Sequence, residues 1–66
     1  MNANLRLTIR RFDGRWRVTA SDSELEHTHR HPFPSRDAAE RFKARVRQAL
    51  EAGRDLDLRH WQYTGP

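Results

Sequence analysis

Leu5-Arg6-Leu7-Thr8-Ile9 and Trp16-Arg17-Val18-Thr19-Ala20 stand on either side of Asp13-Gly14, and the reading of this stretch decides the fold. In both runs apolar and polar side chains alternate, the period of a strand with one buried and one solvated face. Asp-Gly between two such runs is the strongest short-range signal for a β-hairpin. A two-residue loop at Asp13-Gly14 then sets the pairing by counting outward: Phe12 with Arg15, Arg11 with Trp16, Arg10 with Arg17, Ile9 with Val18, Thr8 with Thr19, Leu7 with Ala20. This register sorts the side chains. Leu7, Ile9, Trp16, Val18 and Ala20 share one face; Thr8, Arg10, Phe12, Arg15, Arg17 and Thr19 share the other, with Arg6 at its far end. A slip of one residue would mix both sets.

Downstream, Ser21-Asp22-Ser23 is a turn cluster, and the stretch from Glu24 to His31 predicts a third strand in which Leu25 shares the inner face with Ala20. Pro32 and Pro34 end any ladder around Phe33. Ser35 is placed to cap a helix starting at Arg36, with Asp37 in the first turn, where the helix dipole favours an anion. Ala38, Ala39, Phe42, Val46, Ala49 and Leu50 recur at helical spacing on one side, and Gly53 supplies the stop. The tail alternates at Leu56 and Leu58 before His60, Trp61 and Tyr63, which predicts a fourth strand or a packed extended arm, with the two aromatics closing the core. The expected fold is α+β, one domain over 1–66. It has strands at about 4–12, 15–21 and 24–31 in an antiparallel sheet, one amphipathic helix at about 36–52 on its inner face, and a C-terminal strand or arm at 54–63.

Composition bounds what such a chain can be. Sixty-six residues, 35% hydrophobic and 33% charged, suit a thin two-layer domain. With no cysteine, neither a disulfide nor a thiolate zinc site can staple it, so stability rests on packing or self-association. No apolar run approaches the roughly 20 residues that span a bilayer. The start, Met1-Asn2-Ala3-Asn4, lacks the features of a secretion signal, so no membrane partner and a cytoplasmic location are expected. The net charge of +4 is local, since residues 1–20 hold Arg6, Arg10, Arg11, Arg15 and Arg17 against Asp13 alone.

The outer sheet face is therefore the first candidate site. Arg10 opposite Arg17, with Arg6 and Arg15 nearby, concentrates positive charge where no helix is available to cover it, and like charges across a sheet repel. Guanidinium groups bind phosphate as flat multi-donor forks. A short antiparallel sheet fits the DNA major groove, where Phe12 would lie against sugar or base. Glu24 and Glu26 on the next strand are the acids that could neutralise this face. His27, His29 and His31 alternate, so a strand would put the three rings on one side, about 7 Å apart. The outer two, about 13 Å apart, cannot share one tetrahedral ion, so a metal would need a pair plus His60 or a carboxylate. Imidazoles packed on aromatics beside Trp16 are the competing outcome. Nothing else suggests chemistry: there is no cysteine nucleophile, glycine-rich phosphate loop or nucleophile elbow, so neither enzyme activity nor a cofactor is expected.

Trp16 on a strand, followed by Phe33, Ser35, Ala39 and Phe42 at the entry to the helix, resembles the N-terminal arm-binding domain of phage-type tyrosine integrases over about residues 5–50. Similar patterns also occur in small bacterial domains of no assigned role. The integrase resemblance implies a three-stranded sheet laid in the DNA major groove and assigns DNA contact to Arg10, Arg15 and Arg17. The chain departs from the family in carrying Glu24, Glu26 and the histidine run on the third strand. Nucleic-acid binding through Arg6, Arg10, Phe12, Arg15 and Arg17 is the leading expectation. The alternative partner is a protein, a second copy of the chain included, meeting the sheet edge or Trp61 with Tyr63.

Overall fold

The structure, a computed structural model, describes residues 5–64. The expected strand start at residue 4, the Met1-Asn2-Ala3-Asn4 start and the terminal Gly65-Pro66 lie outside the described residues. Strands β1 (Arg6–Phe12) and β2 (Arg15–Ser21) pair in the expected register, from Phe12↔Arg15 to Arg6↔Ser21. Asp13 and Gly14 both have positive φ, 53° and 74°, the signature of a type I′ turn, whose twist matches that of the strands it joins. Leu7, Val18 and Ala20 are buried on the inner face.

The third strand, β3 (Glu26–Thr28), is shorter than expected and pairs with β2 through Thr19↔Thr28, Ala20↔His27 and Ser21↔Glu26. His27 therefore takes the inner position opposite Ala20, and Leu25 lies just before the strand, 37% exposed. The Asp22 carboxylate closes the preceding turn by accepting the backbone N–H of Glu24 and of Leu25, each at 2.7 Å. Beyond β3 the pairing resumes at Phe33, contrary to the expectation that the two prolines end it. The Phe33 N–H donates to Trp16 O at 2.7 Å, and the Trp16 N–H donates to Phe33 O at 3.1 Å. Pro32 and Pro34 are compatible with this because a bridging residue uses only its own N–H, and its neighbours' nitrogens point away. His29 pairs with Val18, its N–H donating to Val18 O at 2.8 Å, so residues 30–32 loop out opposite Arg17 alone.

Helix α1 (Arg36–Glu51) begins as its cap predicts, with Ser35 Oγ accepting the Ala38 N–H at 3.2 Å. It ends in a Schellman motif: the Arg54 N–H reaches Ala49 O at 3.0 Å, the Gly53 N–H reaches Leu50 O at 3.1 Å, and Gly53 has φ of 90°. The helix packs across β1 and β2, burying Ala39 and Val46 completely.

The tail is neither a fourth strand of this sheet nor an extended arm. It turns back as a second hairpin, β4 (Asp55–Asp57) against β5 (Gln62–Thr64), in a separate two-stranded sheet. Asp57 organises the turn: its backbone O accepts the Trp61 N–H at 2.6 Å, while its carboxylate accepts the Arg59 N–H at 3.0 Å and bonds His60 Nδ1 at 2.8 Å. Leu56 and Leu58 are buried with Leu7, Ala20 and Val46 in one cluster, and Trp61 and Tyr63 pack against it, closing the core as expected.

Two consequences can be measured. Gly14→Ala meets no atom within 4 Å, so its cost is the backbone strain of a left-handed alanine, about 1 kcal/mol in urea unfolding with native strand content retained. Acid should also weaken the fold. Both Asp22, through the Leu25 and Glu24 amides, and Asp57, through His60 and the Arg59 amide, are held below the ordinary value of 3.8. Their contribution is complete above that pH and disappears as pH falls through the lower, folded-state values. Urea midpoints should therefore fall below about pH 3.8, with a shallower acid limb in D22A/D57N.

Candidate functional site

On the outer face the side chains form cross-strand rows. Arg6, Ser21 and Glu26 make the first, Thr8, Thr19 and Thr28 the second, Arg10 and Arg17 the third, and Phe12 with Arg15 the last, at the hairpin tip. The threonine row is internally bonded: Thr19 Oγ1 and Thr28 Oγ1 lie 2.9 Å apart, and the Thr8 hydroxyl donates to Thr19 O at 3.4 Å. This explains why Thr19, on the solvent side of the sheet, is only 8% exposed. It also gives the arginine row a firm floor.

Arg10, Phe12 and Arg17 come together in a shallow groove of about 210 Å³, whose walls also include Arg11, Thr19, Thr28 and Glu26. Arg15 stands opposite Phe12 at the tip, whereas Arg6 lies four residues from Arg10 along β1, about 13 Å away, outside the groove. Phe12 is 67% exposed, an unusual position for a phenyl ring in so small a domain. Glu26 reaches the groove wall. Yet among the described residues no carboxylate lies within 4.0 Å of Arg6, Arg10, Arg15 or Arg17, and Glu24 is exposed in the turn. The four guanidinium groups keep their donors for solvent or a ligand.

Arg11, opposite Trp16, was not singled out from the sequence. Its guanidinium lies 6.0 Å from the Trp16 ring centroid, and that of Arg36 lies 5.9 Å from the same ring. The hairpin thus presents basic groups along its rim as well as its outer face. The pairing Arg11↔Trp16 was legible by counting; the approach of Arg36 depends on where the helix docks.

The three histidines enter different settings, although the His29 and His31 ring centroids stay 5.8 Å apart. His27 is half-buried opposite Ala20. His29 enters an aromatic cluster, with ring centroids 4.8 Å from Phe42, 5.1 Å from Trp61 and 5.6 Å from Phe33. His31, expected on the same side of a strand, is exposed because residues 30–32 leave the ladder. His29 Nδ1 closes that loop from within, lying 3.0 Å from His31 O and 3.2 Å from its N–H. Nδ1 accepts from the amide or donates to the carbonyl, according to the tautomer. Among the described residues no three His, Asp or Glu side chains gather where they could hold a metal ion.

A second, larger cleft of about 310 Å³ runs between residues 28–31 and 59–62, lined by His29, His31, His60, Arg30, Arg59, Trp61, Thr28 and Gln62. Trp61, one of its lining residues, has positive φ, 54°, and a buried Nε1–H with no acceptor among the described residues. Both features are unfavourable, and contact of the ring with His29 and Phe42 offsets them. No helix of the described chain is long and apolar enough to cross a membrane. Comparison with protein-family models, with curated proteins and with solved structures finds no match.

The exposure of Phe12 leads to a direct expectation. Phe12→Ala should change unfolding free energy by less than about 0.5 kcal/mol, because the ring contributes little to the core. Phe42→Ala, which removes a ring packed on His29, Phe33 and Trp61, should cost several-fold more in the same urea titration.

Proposed function

We propose that this domain is a nucleic-acid-binding module, without catalytic activity, that works through the outer face of the β1–β3 sheet. The observation that carries the reading is the Arg10–Arg17 row beside an exposed Phe12, with no carboxylate within 4.0 Å among the described residues. Two arginines held opposite each other repel, on the scale of about 0.2–1 kcal/mol, and a phosphate bridging them converts that repulsion into charge-assisted hydrogen bonds. Counterions released from a polyanion add to the attraction. Phe12 supplies the complementary contact, a flat apolar surface for a sugar or an unstacked base. Arg15 extends the positive rim at the tip, and Arg6 at the opposite end of β1 suits a second phosphate along a backbone. The helix covers the other face of the sheet, so a duplex groove or a single strand can approach this one. The local resemblance of residues 5–50 to the arm-binding domain of phage-type tyrosine integrases supports the same choice of face.

Anisotropy titrations with labelled duplex and single-stranded oligonucleotides test the reading. Wild-type chain should bind at low salt, and R10A/R17A should bind more weakly to every sequence, with the slope of log affinity against log salt reduced by about two. Wild-type chain that leaves both probes unbound at low salt would end the proposal.

A further inference from the structure

Among the described residues no strand pairs with the outer edge of β1, and this edge points to a second copy of the chain. Trp16 exchanges both backbone groups with Phe33, and Val18 O accepts from His29, so the backbone groups of Trp16 and Val18 point toward β3. Their partners on β1, Arg11 and Ile9, and by the same alternation Leu7, therefore direct N–H and C=O away from β2. β1 is the outermost strand of the order β1-β2-β3. Its seven residues contain no proline, glycine or bulge, the usual devices that stop an edge from pairing. Arginines are what guard it, and they do so selectively.

We propose that two chains associate through antiparallel β1 edges with Ile9 on the two-fold axis, making one six-stranded sheet. Outward-pointing residues must meet outward-pointing residues, which leaves few registers. An axis at Thr8 sets Arg6 against Arg10, one at Arg10 sets Arg10 against itself, and one at Arg11 sets Arg11 against itself. An axis at Leu7 leaves Arg10 and Arg11 beyond the overlap of the described strands. With Ile9 central, all seven residues pair and no arginine stands opposite another: Arg6 meets Phe12, Leu7 meets Arg11, Thr8 meets Arg10 and Ile9 meets Ile9. Each charge thus faces a ring, an alkyl chain or a hydroxyl. About six backbone hydrogen bonds form. A two-fold axis normal to the sheet keeps both helices on one side and joins the two arginine faces on the other. Each copy carries +4, so the association strengthens as salt screens it, opposite in sign to binding of a polyanion.

Sedimentation equilibrium without nucleic acid, at low and at about 0.5 M salt, tests the association independently of the reading above. The dimer fraction should rise with concentration and with salt; a monomer under all conditions up to millimolar chain overturns the proposal. Two sets of variants read the register. Thr8→Glu places a carboxylate against Arg10 twice by symmetry and should tighten the dimer roughly fivefold, whereas Thr8→Arg should weaken it by a similar factor. Because the native chain has no cysteine, Ile9→Cys supplies one thiol per copy. Paired Cα atoms there lie about 5.5 Å apart, within the disulfide range, while Arg11→Cys leaves about 14 Å between thiol-bearing residues. Under mild oxidation Ile9→Cys should cross-link and Arg11→Cys should not. Preferential linking at position 11, or Thr8 variants that shift the equilibrium in the same direction, would overturn the register.

Discussion

Two consecutive residues with positive φ, Asp13 and Gly14, hold the rest of this molecule in place. Because side chains on a strand alternate with period two, the turn decides which of them are wet and which are dry across both long strands. It places Leu7, Val18 and Ala20 under the helix and sets Arg10 and Phe12 in water, with Arg17 half-buried on the same outer face. A loop longer or shorter by one residue would bring arginine into the core of a chain too small to absorb it.

The same register explains why the polar face is concentrated and not dispersed. An antiparallel sheet with a helix on one side needs a solvated opposite side, but that need is met by any polar residue. Here the middle of the face is a bonded threonine row, and the charges lie beyond it in a second row and at the tip. The threonines shield their own backbone, leaving Thr19 buried, while the arginines share their groove with Glu26 but have no carboxylate within 4.0 Å among the described residues. The strand backbone beneath the arginines is already ordered, so on meeting an anion only their side chains would lose freedom. The face and the free edge of β1 belong to the same strand, so pairing across the edge would extend the face without altering it.

The second hairpin solves a different problem. The helix packs chiefly on β1 and β2 of the three-stranded sheet, and without cysteine no cross-link can substitute for area. Leu56, Leu58, Trp61 and Tyr63 supply that area from the end of the chain. The Asp57 turn accepts a left-handed Trp61 and an indole N–H without a partner among the described residues, with the ring resting against His29 and Phe42. Its position also creates the cleft rimmed by Arg30, Arg59, His31 and His60, residues about 30 positions apart that have no joint signal in the sequence.

What the sequence determined by itself was everything governed by neighbours within a few positions: the β1–β2 register, the Ser35 cap, the Gly53 stop and the identity of both sheet faces. Each follows from local backbone preference or from periodicity counted out from one turn. Tertiary structure alone decided where β3 leaves the ladder, that Phe33 rejoins it between two prolines, that aromatic rings enclose His29 while His31 stays exposed, and that the tail pairs with itself. The physical reason is that these choices are settled by packing around Phe42 and the Leu7–Val46–Leu56 cluster, among residues far apart in the chain. Alternation read along one strand carries no information about such contacts. The candidate face was legible because it depends only on the turn; the cleft was not, because it depends on how two distant segments meet.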